Sequence, residues 1–327
     1  MTLARRPSPA DTLRVLILDD YPSVALDSAP WSRLGDGARV EPVHEHLVGA
    51  ALLERIVEAD VLVVMRERTA LPADLLARLP RLKLITTMGA ENAAIDVAAA
   101  AELGITVAGF VQNSPATAEL SWALTMAVAR DLRGNDTDVR AGRWQRTAGI
   151  DLAGSTLGLV GLGRLGGRVA EYARVFGMTV LAWSENLTAE RAAEHGAELA
   201  ADLDDVFRRS DIVTVQLKLS DRTRGLIRRP QLELLGRDGR LVNTSRGPIV
   251  DETDLVDALR DGTIAAAALD VFDREPLPPG HPLLTLPTVL LSPHIGYVSR
   301  QALRGGYTGM LGLIEEWRAG REVRLVT

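Results

Sequence analysis

The sequence contains no cysteine, no apolar run of membrane-spanning length and no excess of positive charge. The absence of cysteine excludes disulfides, thiolate metal sites and thiolate catalysis. It is typical of a reducing compartment, so we expect a cytoplasmic protein. No apolar stretch approaches the ~20 residues of a membrane helix, so no membrane partner is predicted. The formal net charge of −6 at pH 7 gives no general basis for binding nucleic acid.

Histidine is also scarce, with five residues in the chain. Only His44 and His46 are spaced in the range of metal ligands, and on a strand they would face one side. A solvated strand edge is the better explanation of this pair. We therefore predict no metal site.

Short apolar strands alternate with helical patterns in two successive series. Such alternation predicts parallel strands joined by crossover helices, and therefore an α/β fold. The predicted strands cover residues 13–18, 61–64, 84–87 and 106–108 in the first series, and 157–160, 179–183, 212–215, 241–243, 266–271 and 289–291 in the second.

The chain is long enough for two domains, and we expect each to be a Rossmann-like or flavodoxin-like, doubly wound parallel sheet. A long helix from Ser114-Pro115 to about Leu132 is predicted before the second series. A final helix from about Ser299 to Ala319 follows the second sheet and can return to the first domain. We therefore predict a discontinuous substrate domain of residues 1–112 and 298–327. Residues 113–297 would form a dinucleotide-binding domain, with an active-site cleft between the two.

A glycine-rich turn opens the second series, where Gly161, Gly163 and Gly166 follow a predicted strand and precede a helix-like run over 167–176. Gly161 suits the tight turn, Gly163 allows the backbone to approach a pyrophosphate, and Gly166 allows helix and strand to pack closely. The diphosphate would lie at the positive end of the helix dipole. A purely structural turn is the alternative.

Three further motifs each follow the carboxyl end of a predicted strand: Val242–Asp251, Ala268–Pro276 and Leu291–Gly296. Together with the glycine-rich turn they resemble the D-isomer-specific 2-hydroxyacid dehydrogenases, and the match is collinear over residues 84–296. The resemblance implies that Arg246, Glu275 and His294 form the catalytic triad.

The chemistry of the three residue types agrees with these implied roles. Arg246 has a permanent charge and a planar fork that suits a substrate carboxylate; a surface ion pair is its alternative. His294 can exchange a proton with the carbonyl oxygen as hydride moves to or from nicotinamide, and a structural histidine is its alternative. Glu275 would fix the tautomer of the imidazole, unless it is a solvated loop carboxylate.

The resemblance also implies binding residues for a nicotinamide cofactor and a substrate. Thr117 corresponds to a nicotinamide-side contact, and Asp270 would either face the nicotinamide or act as an ordinary strand-end cap. The cofactor-binding residues expected from the turn and the resemblance are Thr117, Gly161, Gly163, Arg164, Leu165, Gly166, Ser184, Glu185, Lys218, Thr244, Asp270, His294 and Gly296. The backbone of Met88, Gly89 and Ala90, with Arg246, is expected to hold the substrate carboxylate. Glu91 stands where a glycine is usual, so that loop is expected to differ in shape and selectivity.

The choice of cofactor depends on the end of the strand over 179–183. Ser184 occupies the position where an aspartate commonly contacts the ribose, and Glu185 follows it. Glu185 can accept from a 2′-hydroxyl and would repel a 2′-phosphate, which favours NAD. Lys218 and Arg164 are cations that can attract an additional phosphate, so NADP stays open.

The predicted function is hydride transfer between NAD(P)H and C2 of a 2-keto acid or D-2-hydroxy acid, in an enzyme of the 1.1.1 class of dehydrogenases. The alternative is a dinucleotide-sensing interaction protein of the same fold without significant turnover. The intact set of Arg246, Glu275 and His294 argues against a sensor, because sensing requires no proton donor. The resemblance further implies a homodimer.

Overall fold

The structure is a computed structural model that describes residues 12–326; the first eleven residues, which the predicted first domain includes, lie outside the described residues. Its strands are β1 Leu13–Ile17, β2 Ala38–Pro42, β3 Val61–Val64, β4 Leu84–Met88, β5 Thr106–Phe110, β6 Thr156–Val160, β7 Thr179–Trp183, β8 Glu198–Leu199, β9 Ile212–Val215, β10 Arg240–Asn243, β11 Ala266–Leu269 and β12 Val289–Leu291.

The α-helices are α1 Ala25–Ser28, α2 Gly49–Ile56, α3 Ala73–Leu76, α4 Val97–Glu102, α5 Ala116–Ala129, α6 Leu132–Arg140, α7 Arg164–Val175, α8 Ala189–Glu194, α9 Leu203–Arg209, α10 Arg229–Leu235, α11 Glu252–Arg260 and α12 Arg300–Arg318. Short 3₁₀ helices cover Trp31–Leu34, Gly247–Ile249 and Pro282–Leu284. Within the described part of the chain, no helix is long and apolar enough to cross a membrane.

The chain folds into two compact units. The first holds the described residues up to Ser114 and those from Ser299 onward. Its sheet has the order β2-β1-β3-β4-β5, with every neighbouring pair parallel. Helix α12 packs against β4 and β5, where a side chain at Gly306 would collide with the end of Met88. The last helix therefore sets the position of the loop that follows β4.

The second unit, Pro115–Val298, contains a parallel sheet of order β12-β11-β10-β9-β6-β7-β8. The chain runs outward from β6 through β7 to β8, then returns to β9 and continues in the opposite direction to β12. The order of strands therefore reverses between β6 and β9, and in such sheets ligands bind beyond the carboxyl ends of the strands at that point. Buried strands with apolar side chains on both faces, such as Ile212–Val215, form its centre.

The prediction of two parallel α/β sheets is confirmed, and three details of the elements were wrong. The long helix ends at Ala129, because Asp131 takes a left-handed conformation (φ +44°) and caps the separate helix α6. Helix α7 begins directly after Gly163. The predictions omit the edge strands β2 and β8, and His44 and His46 follow β2 without belonging to it.

Candidate active site

The glycine-rich turn joins β6 to α7, and its three glycines have different surroundings. A side chain at Gly161 (φ +107°) would lie 2.8 Å from the backbone of Gln216, and one at Gly166 would collide with the carbonyl oxygen of Gly161. At Gly163, apart from this residue and its two chain neighbours, no atom of the described residues lies within 4 Å of the position a Cβ would take. Gly163 precedes helix α7 and has no side chain to cap it. This open backbone and the positive helix end suit a diphosphate.

Two oppositely charged side chains follow the strands on either side of β6. Glu185 is exposed and follows β7 by two residues. The carbonyl oxygen of Trp183, the last residue of β7, accepts a hydrogen bond from the Gly161 N–H group (2.8 Å). Lys218 is exposed in the loop after β9, where its carbonyl oxygen accepts the Thr223 hydroxyl group (2.7 Å). Both residues therefore belong to the edge of the sheet that holds the glycine-rich turn.

Gln216 is a polar residue of this edge that the sequence analysis missed. Its amide nitrogen donates to the hydroxyl oxygen of the buried Thr244 (3.2 Å) and to that of Ser121 (2.8 Å). These bonds hold the loops after β9 and β10 against helix α5. The only signal in the sequence is a polar residue placed directly after an apolar strand.

The imidazole of His294 and the carboxylate of Glu275 form a direct pair. The His294 Nδ1 atom lies 2.5 Å from Glu275 Oε2, while Glu275 Oε1 accepts the Phe272 N–H group at 2.9 Å. A proton on Nδ1 makes the bond to the carboxylate and leaves Nε2 as the nitrogen for proton exchange with a substrate. The Tyr297 ring stands edge-on to the imidazole at a centroid distance of 5.9 Å. His294 itself has φ +53°, so the loop holds it in a conformation that non-glycine residues seldom adopt.

Asp270, at the end of β11, secures the loop that carries His294. Its buried carboxylate accepts the Ser292 hydroxyl group (2.5 Å) and the N–H groups of Ile295 and Gly296 (both 2.9 Å). Burial raises the pKa of Asp270, and these bonds together with the charge of His294 offset only part of the increase. Thr117 lies beside the same loop, since a Cβ at Gly296 would be 3.1 Å from its methyl group. The geometry of Asp270 matches a strand-end cap; its contact with nicotinamide stays a prediction.

Arg246 follows β10 and is held by a buried side chain that the sequence analysis missed. The Asn243 amide donates to the Arg246 carbonyl oxygen, and its own oxygen accepts the Ser245 N–H group, both at 3.0 Å. The backbone next to Arg246 also packs closely on the loop of Glu275, because a side chain at Gly247 would collide with the backbone of Phe272. Arg246, Glu275 and His294 therefore follow the neighbouring strands β10, β11 and β12, and the last two are in contact.

The end of β4 and the loop that follows it in the first unit contain the predicted substrate residues Met88, Gly89 and Ala90. Met88 is buried, and the Gly89 N–H group donates to the Phe110 carbonyl oxygen (2.8 Å), which fixes Gly89 at φ +118°. Gly89 thus shapes this loop through its conformation. Asn92, which the predictions omitted, ties the loop to Arg66 O (2.7 Å) and to Thr87 Oγ1 (3.0 Å).

Residues 122–296 match the family model for the NAD binding domain of D-isomer specific 2-hydroxyacid dehydrogenases. This match covers more than half of the chain. The chain belongs to the D-isomer specific 2-hydroxyacid dehydrogenase family. It is an oxidoreductase with an NAD binding domain, and the predictions of the family, the fold and an enzyme are confirmed.

Two names recur among the relatives of this dehydrogenase that share more than a third of its residues over the matched region. It is 43% identical over 265 residues to a glyoxylate reductase of Aeropyrum pernix, covering 76% of this chain and 77% of that protein. It is 39% identical over 260 residues to a D-3-phosphoglycerate dehydrogenase of Methanocaldococcus jannaschii, but this match spans only 49% of that longer protein. The crystal structure of a phosphoglycerate oxidoreductase from Vibrio cholerae superimposes with a TM-score of 0.88 at 34% identity, covering 94% of this chain and 99% of that one.

Proposed function

We propose that the dehydrogenase interconverts a small 2-keto acid and its D-2-hydroxy acid, with glyoxylate as the first substrate to test. The direct Glu275–His294 pair, with 2.5 Å between its atoms, is the observation that carries this proposal, because it provides an oriented proton donor at the edge of the NAD-binding sheet. Glyoxylate is the first choice because the glyoxylate reductase that is 43% identical to this chain is matched over 77% of its length, whereas the D-3-phosphoglycerate dehydrogenase that is 39% identical is matched over only 49% of its length.

Each residue of the triad has one proposed role. His294 delivers a proton from Nε2 to the carbonyl oxygen during reduction and removes it during oxidation. Glu275 orients the imidazole and stabilises the charge that it acquires. Arg246 binds the substrate carboxylate through its planar fork. The loop Met88–Ala90 is the proposed second contact of that carboxylate, with Gly89 shaping it.

NAD is the proposed cofactor, and it supplies or accepts the hydride when bound. The open backbone at Gly163 and the start of helix α7 would hold its diphosphate. Glu185 would accept a hydrogen bond from the adenosine ribose and repel a 2′-phosphate. Thr117, Ser184, Thr244, Asp270 and Gly296 complete the proposed binding surface around the central strands, together with Arg164, Leu165 and Lys218.

The cofactor preference is tested by comparing kcat/KM with NADH and with NADPH in the wild type and in Glu185→Ala. We expect the wild type to prefer NADH and the variant to lose most of that preference, because a repulsive charge is removed while Lys218 stays in place. Lys218→Ala is the matched variant, and it should increase the preference for NADH. A wild type that prefers NADPH contradicts the assignment.

The substrate is tested by NADH oxidation with glyoxylate, hydroxypyruvate, pyruvate and longer 2-keto acids. We expect the highest kcat/KM with one of the two-carbon or three-carbon acids. Absence of turnover with every member of the panel, despite tight NADH binding, would favour the dinucleotide-sensing alternative.

A homodimer is also proposed. None of the residues Leu132–Arg140 in helix α6 is buried, although Leu132 and Val139 are apolar, and Trp144 just beyond the helix is 74% exposed. Exposed apolar residues of this size, close together in one segment, are typical of an interface.

A further inference from the structure

The second unit contains another imidazole–carboxylate pair, formed by His281 and Glu252. The His281 Nε2 atom lies 2.9 Å from Glu252 Oε1. The other ring nitrogen, Nδ1, accepts the Leu283 N–H group at 3.3 Å. Because Nδ1 is an acceptor, the ring proton lies on Nε2 and donates to the carboxylate. Both side chains are largely buried, with 15% of His281 and 21% of Glu252 exposed.

This outer pair is connected to the loop that carries Glu275. The second oxygen of Glu252 accepts the Asp273 N–H group at 3.2 Å. The preceding N–H group, that of Phe272, donates to Glu275 Oε1 at 2.9 Å. Two consecutive backbone donors therefore bind two different carboxylates, and each carboxylate is paired with its own histidine.

The same short segment is held from another side by Gly247, the residue after Arg246. A Cβ at Gly247 would lie 2.6 Å from the Asp273 nitrogen and would collide with the Phe272 carbonyl group. The backbone of Phe272 and Asp273 is therefore enclosed between the loop of Arg246 and the Glu252 carboxylate. A displacement of this backbone would move the hydrogen-bond donor of Glu275.

Negative charge is concentrated at this position. Burial raises the pKa of Asp273, and the charges of Glu252 and Asp251 raise it further, while the charge of Arg224 lowers it.

We propose that Glu252 and His281 are positioning residues for the reaction: they fix the Phe272–Asp273 backbone and thereby hold Glu275 in the orientation that aligns His294. This inference rests on the proposed acid–base role of His294 and Glu275. Glu252 and His281 touch no reacting group, and they act through the backbone donor of Glu275. Groups that orient a reactive ligand in this way commonly affect activity by tenfold or more.

The test uses two substitutions of His281 that each keep one of its two hydrogen bonds. In His281→Asn, the amide oxygen can replace Nδ1 and accept the Leu283 N–H group, but the bond to Glu252 is lost. In His281→Gln, the amide nitrogen can replace Nε2 and donate to Glu252, but the bond to Leu283 is lost. If His281 only caps the short helix Pro282–Leu284, the Gln variant should lose more activity than the Asn variant. The positioning role predicts that the Asn variant loses more activity.

We expect His281→Asn to lower kcat for 2-keto acid reduction by about tenfold with little change in KM or in the Kd for NADH. His281→Gln should keep most of the wild-type kcat. Glu252→Ala should lower kcat by as much as His281→Asn does. In a Glu275→Gln background, His281→Asn should cause no additional loss, because the group that it positions is already removed. His44→Asn in the first unit is the matched histidine control, and the thermal unfolding midpoint of each variant is measured.

The opposite order of the two His281 variants, equal losses in both, or a full additional loss in the Glu275→Gln background would overturn the inference. Failure of the underlying function is recognised separately. In that case Glu275→Gln itself would retain the wild-type kcat, whatever the His281 variants do.

Discussion

Two buried aspartates, Asp60 and Asp270, have pKa values that are shifted in opposite directions because their partners differ. Burial alone would raise the pKa of Asp60, but the Arg14 N–H group and the side chains of Lys83 and Arg81 lower it more, so the net shift is downward. Asp270 accepts its bonds from neutral donors, and burial dominates. Cationic partners therefore make Asp60 an anion that stabilises the fold, whereas Asp270 is held by its hydrogen bonds.

Asp60→Asn should destabilise the protein by about 2 kcal/mol near neutral pH, the usual cost of losing bonds between charged groups at a buried site. Because the pKa of Asp60 is lower in the folded state, its stabilisation is present above the unfolded pKa of about 4 and is lost as the pH falls through the folded pKa. The difference between variant and wild type in denaturant unfolding should therefore be large near neutral pH and smaller below about pH 4.

The matched control for this prediction is Asp136→Asn, which removes an exposed partner of Arg140. Its carboxylate also has a lowered pKa, caused first by the Arg140 hydrogen bond, but both side chains of the pair are mostly exposed to solvent. Exposed pairs contribute little to stability, so no measurable change is expected. The account would be contradicted if both variants lost the same free energy of unfolding, or if the loss in Asp60→Asn did not depend on pH.

Whether a site residue could be predicted depended on how far apart in the sequence it and its partners lie. Glu275 and His294 follow adjacent strands in motifs that suit one reaction, and the structure brings the two into contact. Asn92, Gln216 and Glu252 were missed because their partners are distant in sequence; the Asn92 amide, for example, contacts the backbone of residue 66. No local pattern distinguishes such a side chain from an ordinary polar loop residue.

At the scale of the element, the turn between β6 and α7 combines two demands. Gly161 and Gly166 must be glycine because a side chain at either position would collide with protein backbone. A side chain at Gly163 would point into open space next to the turn. The structural and the binding roles of the turn can therefore be separated by substitution.

Gly163→Ala should fold with nearly unchanged stability and bind NADH about tenfold more weakly, because its methyl group enters the space proposed for the diphosphate. Gly166→Ala should lower the unfolding midpoint clearly, because its methyl group meets the carbonyl oxygen of Gly161. Thermal unfolding and NADH fluorescence titration measure the two effects. If Gly163→Ala binds NADH as the wild type does, the diphosphate lies elsewhere.

Elements buried on both faces were predicted best. Strands β3 and β9 agree with the expected bounds: β3 is a continuous apolar run, and in β9 only the buried Thr214 interrupts the apolar residues, as suits a central parallel strand. Strand β2 lies at the sheet edge and places Arg39 and Glu41 near solvent, so it has no such run. The break after Ala129 was missed because it depends on the left-handed conformation of Asp131, whose carboxylate accepts the Gly134 N–H group.

At the scale of the whole molecule, the proposed homodimer follows from the exposed apolar residues Leu132, Val139 and Trp144. We expect sedimentation velocity to show a dimer over the micromolar range, and Trp144→Glu to shift the distribution toward monomer. Val48→Glu changes an apolar residue of the first unit that is 66% exposed, and it should leave the distribution unchanged. A wild type that is monomeric at every concentration would contradict this proposal.

The central claim concerns the whole enzyme: it reduces a small 2-keto acid and uses His294 as the proton donor. The most direct measurement compares kcat for glyoxylate reduction by NADH in the wild type and in His294→Asn, with the Kd for NADH determined in parallel. We predict a loss of about a thousandfold in kcat and an unchanged Kd, because a positioned acid contributes rate without contributing cofactor affinity. A His294→Asn variant that reduces glyoxylate at the wild-type rate would contradict the account.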